Sequence, residues 1–135
     1  MPEPALASAW LRFHERKSEI HRLHPTVWAI PVLRKRGQLL QGLLRPGARV
    51  LDVGAGNRNW EEKVRAAAPG IEYLSLDQDR GTRQDYHDLD EVRGSFDLIL
   101  LIEVIEHLPF DAGVSLLGRL RDLLAPGGRL LLTTP

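Results

Sequence analysis

The chain has 135 residues, of which 43% are hydrophobic and 27% charged; this composition suits one globular domain and excludes a disordered protein. It has no cysteine, which excludes disulfide frameworks and thiolate metal sites. The net charge is zero, but residues 1–45 carry a balance of +5 and residues 46–135 a balance of −5. Because no apolar run is long enough to cross a bilayer and the N-terminus becomes charged too early for a signal peptide, the sequence indicates a soluble cytoplasmic protein.

The first predicted elements are helical. Apolar residues at helical spacing predict a helix over residues 6–23, which Pro25 ends. A second helical stretch is predicted over residues 27–44, interrupted by Pro31 and stopped by Pro46 and Gly47. We expect residues 1–45 to form a helical arm or lid. Its positive charge either contacts an anionic substrate or a nucleic acid, or belongs to a solvated helical face that complements the acidic domain.

Strands and helices then alternate over residues 46–135, which we expect to form one domain. The predicted strands are 49–53, 71–76, 96–102 and 129–133, the last entered by a turn at 126–128. The predicted helices are 60–68 and one capped by Asp111, whose inward face is Val114, Leu117, Leu120 and Leu124. The polar segment 77–95 includes one short edge strand near 85–88. This alternation predicts an α/β fold with a mostly parallel, doubly wound sheet.

A glycine turn follows the first strand, and its sequence restricts the ligand. Gly54 and Gly56 let backbone approach a ligand. No lysine follows at the spacing that a nucleoside triphosphate requires. A dinucleotide is disfavoured because Asn59 takes the third glycine position and Asp52 would repel a pyrophosphate. Asp77, at the end of the second strand, is placed to bind ribose hydroxyls, so the turn favours a cationic or zwitterionic nucleoside.

Five segments match, in order, the motifs of one known family. They are VLDVGAGN (50–57), YLSLDQD (73–79), DLD (88–90), FDLILLIEVIEHLP (96–109) and LLAPGGRLLLTTP (123–135). Residues 50–135 thus resemble the class I S-adenosylmethionine-dependent methyltransferases, which have a Rossmann-like fold. The resemblance implies S-adenosylmethionine as the cofactor. The family's sheet has seven strands, and this sequence ends after the fifth and lacks the last two. We expect either a fragment of a longer enzyme or a reduced version whose open sheet edge a partner, such as a second copy, covers.

The resemblance implies roles around the methionine end of the cofactor. Asp52 would orient the methionine ammonium, directly or through water. Gly54 and Gly56 would let the backbone pass the cofactor, and Ile102 would line the methionine arm. Arg58 departs from the family pattern, since many members have glycine there; we expect its side chain over the cofactor or in solvent.

The resemblance also implies roles at the nucleoside end. Asp77 would hold the ribose hydroxyls, and Gln78 would lie beside the adenine. Asp88 would accept a hydrogen bond from the adenine amino group. Leu89 would offer its backbone N–H to the ring.

The EVIEH stretch follows the third predicted strand on the same edge. His107 is the candidate general base for a hydroxyl acceptor, because imidazole titrates near neutral pH. Glu103, Glu106 and His107 also resemble the E-x-x-E-H motif, which binds metal in some O-methyltransferases, whereas many other members carry a similar stretch without metal. We assign no metal ligand.

The leading functional hypothesis is S-adenosylmethionine-dependent methyl transfer to an oxygen or nitrogen atom of a small molecule, glycan or lipid precursor. The alternatives are a non-catalytic cofactor-binding or scaffold module with the same fold and, less favoured, a dinucleotide-dependent oxidoreductase. A nucleic-acid base is disfavoured as acceptor, because an Asn-Pro-Pro-Tyr-type motif is absent.

Overall fold

The computed structural model describes residues 3–26 and 36–135. The chain divides into two compact units, Met1–Arg34 and Lys35–Pro135. In the first unit, helix α1 spans Glu3–Leu23 and confirms the predicted N-terminal helix, which ends just before the residue that Pro25 restricts. The predicted start of the second helical stretch and its interruption at Pro31 lie outside the described residues. Within the described parts of the chain, no helix is long and apolar enough to cross a bilayer.

The second unit contains a four-stranded parallel sheet with three helices. In chain order the elements are α2 (Arg36–Leu43), β1 (Arg49–Val53), α3 (Glu61–Ala67), β2 (Glu72–Leu76), β3 (Phe96–Ile102), α4 (Phe110–Asp122) and β4 (Leu124–Thr133). The strand order is β2-β1-β3-β4, and every paired strand is parallel. This sheet confirms the predicted α/β, Rossmann-like fold.

Both faces of the sheet are buried, because successive strand residues point to opposite sides. On one face, α2 and α3 pack on the sheet through a cluster that includes Leu40, Val64, Val50 and Leu98. On the other face, α4 packs through a cluster that includes Leu120, Leu51, Ile99 and Leu101. The continuous apolar strands of the sequence are thus explained by burial on two sides.

The strand order places a topological switch point at β1. The chain runs from β1 to β2 on one side and then crosses to β3 on the other side. The carboxyl ends of β1 and β3 therefore open into a crevice between two outgoing connections, which is where ligands bind in open α/β sheets. The glycine turn and the EVIEH stretch leave the sheet at this edge.

Two predictions about α4 are wrong. The helix begins at Phe110 with Pro109 at the cap position and no side-chain cap hydrogen bond, so Asp111 lies in the first turn instead of capping it. Val114 was expected to face inward, but 54% of it is exposed. The buried stripe runs instead through Gly113 and Leu120, because a helix turns 100° per residue and Val114 falls beside that stripe. Leu117 and Leu120 pack in the core as predicted. Leu124 also packs against the core, but it is the first residue of β4 and not part of the helix.

The predicted turn before the last strand is a bulge within that strand. Phe96 of β3 pairs with Leu124 and Leu98 with Arg129, so β4 holds extra residues between the two pairs. Pro126 and two glycines form this excursion, and Gly127 has a φ of 75°. A short edge strand was predicted near 85–88. In its place the structure has an isolated parallel bridge between Leu76 and Tyr86.

Candidate cofactor-binding site

A cavity of about 530 Å³ lies at the carboxyl ends of β1, β2 and β3. Six of the predicted site residues line it: Gly54, Asp77, Gln78, Asp88, Leu89 and His107. Asp52, Gly56 and Ile102 are not among its lining residues. The cavity therefore brings together the glycine turn, the acidic end of β2, the DLD segment and the EVIEH stretch, which are far apart in the sequence.

Gly54 occupies a position that only glycine fits. Its φ is 74°, in the left-handed region that side chains disfavour. A Cβ added there would overlap the Cγ2 methyl of Val104. The Gly54 amide also donates to the Leu76 carbonyl at 2.8 Å. The glycine turn is thus packed against both β2 and the EVIEH stretch at the cavity wall.

Asp77 connects the glycine turn to the end of β2. Its Oδ2 accepts from the Gly56 amide at 2.9 Å, and its Oδ1 accepts from the Asp79 amide at 2.9 Å. Gln84 Nε2 donates to the Gly56 carbonyl at 2.7 Å, so Gly56 is held from both sides. A carboxylate has about four acceptor sites, which leaves Asp77 capacity to accept hydroxyl groups from the cavity.

Asp52 lies behind the cavity, in the layer between β1 and α3. Only 1% of it is exposed, and its Oδ2 accepts from the Tyr73 hydroxyl at 2.5 Å. Burial raises the pKa of the Asp52 carboxyl to about 6, although the Tyr73 hydrogen bond and the Arg58 cation both act to lower it. The alternation of β1 explains the position, because Asp52 points to the same face as Val50.

The DLD segment forms one wall of the cavity as a capped 3-10 turn at Leu89–Glu91. The Asp88 side chain accepts from the Asp90 amide at 2.9 Å, and Glu91 Oε2 accepts from the Asp88 amide at 3.3 Å. This reciprocal cap fixes the backbone beside the cavity. The free acceptor sites of Asp88 and the Leu89 backbone therefore have defined positions.

Helix α4 supplies a wall that our sequence-based assignment missed. Ala112, Ser115, Leu116 and Arg119 line the cavity, at a spacing that places them on one helical stripe. Arg119 also forms an ion pair with Asp90 of the DLD segment. The helical spacing of these residues can be read from the sequence. The sequence does not show which face of the helix is turned toward the cavity.

The EVIEH stretch enters the cavity through a strained residue. Glu103 has a φ of 54°, lines the cavity and donates its amide to the Thr133 carbonyl at 3.0 Å. A 3-10 turn at Ile105–His107 then brings His107 to the cavity wall, whereas Glu106 is exposed and not a lining residue. Over residues 3–26 and 36–135, no group of three histidine or acidic side chains is arranged to hold a metal ion.

Comparison with known proteins identifies the family. Residues 20–135 match a family described as a methyltransferase domain. The chain belongs to the class I S-adenosylmethionine-dependent methyltransferases. The cofactor of these methyltransferases is S-adenosylmethionine, and the residues present fit it: Gly54 and Val104 leave no room for a side chain at this point of the cavity wall, and Asp77 keeps acceptor sites that its two amide donors do not use.

Individual methyltransferases extend the comparison. A ubiquinone biosynthesis O-methyltransferase of Xanthomonas axonopodis pv. citri is 29% identical over 148 residues, covering 96% of this chain and 57% of the relative. The chain thus spans just over half the length of that methyltransferase. Among solved structures, the cyclopropane synthase MmaA2 of Mycobacterium tuberculosis is 23% identical with a TM-score of 0.59, over 73% of this chain and 41% of that protein. The DhpI–SAH complex is 20% identical with a TM-score of 0.55, over 69% and 50%.

Proposed function

We propose that this chain binds S-adenosylmethionine and contributes to methyl transfer to an oxygen or nitrogen atom of a small molecule, glycan or lipid precursor. The observation that supports this most strongly is the cavity at the switch point, where the glycine turn, Asp77, Asp88 and His107 meet. The names of the O-methyltransferase relatives favour oxygen as the acceptor atom. The first compact unit is proposed to act as an arm or lid that contacts the acceptor; helix α2, which was predicted to be part of this arm, packs on the sheet instead.

The proposed roles follow from the hydrogen-bond acceptor sites that each side chain leaves unused and from its position at the cavity. Asp77 accepts the ribose hydroxyls with the sites that Gly56 and Asp79 leave open. Asp88 and Leu89 contact the adenine from the capped turn, with Gln78 beside them. Gly54 allows the close approach of the backbone. Gly56 is held by Asp77 and Gln84, and Asp52 by the Tyr73 hydroxyl; neither these two residues nor Ile102 lines the cavity.

The bound cofactor supplies a methyl group on a sulfonium. Transfer is an in-line displacement, so the main task of the protein is to align the acceptor with that methyl group. For a hydroxyl acceptor, His107 accepts the proton as the oxygen attacks, since its ring lies at the cavity wall. Val104, Leu108 and Leu116 give the cavity an apolar part of its wall.

Asp77→Ala is expected to weaken binding of S-adenosylhomocysteine by about 1–3 kcal/mol, because hydroxyl hydrogen bonds in a partly buried site are lost together with the anchor of Gly56. Isothermal titration calorimetry measures the change. Asp79→Ala is the matched control, since Asp79 is a nearby exposed carboxylate that is not a lining residue. Equal affinities for the Asp77 variant and the unmutated chain would refute the ribose role.

His107→Gln is expected to slow methyl transfer to a hydroxyl acceptor by about 100-fold or more while leaving S-adenosylhomocysteine affinity unchanged, because a general base acts on the rate alone. The measurement is the pH dependence of labelled methyl transfer from S-adenosylmethionine. Glu106→Gln separates the base from a metal site: the base role predicts little change, whereas equal losses in both variants together with chelator sensitivity would support a metal site.

Calorimetry with three ligands tests the proposed function itself. We expect S-adenosylmethionine and S-adenosylhomocysteine to bind with micromolar affinity, which corresponds to about −8 kcal/mol, and NAD to bind far more weakly. Tight binding of NAD without binding of either S-adenosyl ligand would overturn the proposal in favour of a dinucleotide site. Binding of both S-adenosyl ligands by a chain that transfers no methyl group would support the non-catalytic module.

A further inference from the structure

Arg58 stands where many family members carry glycine, and its backbone has a conformation that glycine favours. Its φ is 58°, in the left-handed region. Residues other than glycine adopt this region at a cost, and they keep it where the surroundings hold them. The Arg58 amide donates to the Ala55 carbonyl at 2.8 Å, which closes the glycine turn. The side chain must therefore contribute something that offsets the backbone strain.

The guanidinium of Arg58 is folded back onto the protein, and only 20% of the side chain is exposed. Its Nε donates to Glu61 Oε2 at 2.8 Å, and its Nη1 lies 3.3 Å from Asp85 Oδ2. Its plane lies over the ring of Tyr73, with 5.3 Å between the guanidinium carbon and the ring centroid. Arg58 is not a lining residue of the cavity, so it neither covers the cofactor site nor extends into solvent.

These contacts join four parts of the domain at one side chain. Glu61 begins α3, and Tyr73 lies in β2. Asp85 belongs to the polar segment after β2, and its Oδ2 also accepts from the Ser75 amide at 2.9 Å and the Ser75 hydroxyl at 3.0 Å. Arg58 thus connects the glycine turn to the same segment that holds Gly56 through Asp77 and Gln84.

We propose that Arg58 is a positioning residue for cofactor binding: it replaces the usual glycine and fixes the turn 54–58 to α3, β2 and the acidic segment that carries Asp77. This role rests on the proposed function, because the turn it fixes is the wall of the proposed cofactor site. Glycine adopts the turn conformation without strain, whereas Arg58 is held in it by side-chain contacts. Only a planar cation with several N–H donors can make these contacts together.

The electrostatics around Arg58 agree with this geometry. Its hydrogen bond holds the pKa of the Glu61 carboxyl below the ordinary value, against partial burial, which raises it. The cation also opposes the rise in the pKa of Asp52, which Tyr73 connects to the same cluster. The Arg58 cation therefore stabilises the carboxylates that surround it.

Arg65 provides a closely matched control. Its Nε donates to Glu61 Oε1 at 3.0 Å, and its guanidinium carbon lies 5.9 Å from the centroid of the same Tyr73 ring. It differs in its position, since it lies in α3 and not in the glycine turn. Arg65 also donates its Nη1 to the Ile71 carbonyl at 3.2 Å. Replacing either arginine thus removes a cation from Glu61 and Tyr73, and we expect only the replacement of Arg58 to loosen the turn.

The experiment compares Arg58→Gln, Arg65→Gln and Arg58→Lys in two measurements. For Arg58→Gln we expect affinity for S-adenosylhomocysteine to fall about tenfold, the equivalent of one charge-assisted hydrogen bond. Amide hydrogen exchange at residues 54–58 should rise selectively in the same variant without ligand. Arg65→Gln should change neither, and Arg58→Lys should recover part of the affinity, because it keeps the charge but not the fork.

Each outcome bears on the proposal separately from the proposed function. Unchanged affinity in Arg58→Gln, or an equal loss in Arg65→Gln, would overturn the positioning role. A purely structural role would raise amide hydrogen exchange throughout the domain in both Arg58→Gln and Arg65→Gln. That result would also contradict the positioning role. If the unmutated chain binds no S-adenosyl ligand, the proposed function fails, while selective exchange at residues 54–58 still decides whether Arg58 fixes the turn.

Discussion

Gly54→Ala is expected to destabilise the domain by about 2–5 kcal/mol and to abolish measurable cofactor binding. Two costs add together. A left-handed φ of 74° costs a residue with a Cβ about 1–2 kcal/mol. The new methyl group also overlaps the Cγ2 of Val104, and such overpacking costs about 1–3 kcal/mol. Urea unfolding measures the free energy, and calorimetry with S-adenosylhomocysteine measures binding.

Two further variants separate the costs at Gly54. Gly56 has a φ of 51°, but no neighbouring atom lies within 4 Å of its added Cβ, so Gly56→Ala should show the backbone cost alone, about 1–2 kcal/mol. Adding Val104→Ala to Gly54→Ala should recover the overpacking cost, because the overlapping methyl group is removed. Equal destabilisation by the two glycine variants would contradict the close contact between the turn and Val104.

Asp52→Asn is expected to gain stability relative to the unmutated chain as pH rises, by about 3 kcal/mol between pH 4 and pH 8. The pKa of the Asp52 carboxyl rises from 3.8 to about 6 because the group is buried. An acid with a raised pKa binds more protons in the folded state, so its contribution to stability is lost as pH rises through that window and stays lost above it. A difference of roughly two pKa units corresponds to about 3 kcal/mol.

The asparagine variant removes this penalty while its carbonyl oxygen still accepts from Tyr73. The measurement is the difference in unfolding free energy between variant and unmutated chain at several pH values, which cancels the other titrating groups. Asp97→Asn is the opposite control, since the Arg49 amide is the first cause of a lowered pKa at Asp97 and the variant should lose stability as pH rises. A difference that stays flat from pH 4 to pH 8 would show that Asp52 is not buried as described.

The strands were predictable because strands that are buried on both faces of a sheet have continuous apolar sequences. The predicted bounds of β1 and β3 agree with Arg49–Val53 and Phe96–Ile102. The start of α4 was not predictable from Asp111, since Pro109 takes the cap position. In β4, proline and glycine signal both turns and bulges, and only pairing with β3 decides between them.

The lining of the candidate site was predictable where chain order alone places residues at the end of a strand. Gly54, Asp77 and His107 meet at the cavity for that reason. The buried position of Asp52 follows from two-residue alternation, which connects it to Val50, but its hydrogen bond to Tyr73 depends on strand register. The ion pair between Arg58 and Asp85 was not predictable. Asp85 lies in an irregular segment, and no sequence periodicity describes the path of that segment.

We infer that the cavity at the carboxyl ends of the strands is the cofactor site. The decisive experiment is a titration of the isotopically labelled chain with S-adenosylhomocysteine, followed by backbone amide chemical shifts. We expect the largest shifts at Gly54, Asp77, Leu89 and His107. Shifts concentrated instead at the second cavity of about 300 Å³, which Arg45, Asp97 and Gly127 line, or no shifts at any ligand concentration, would contradict it.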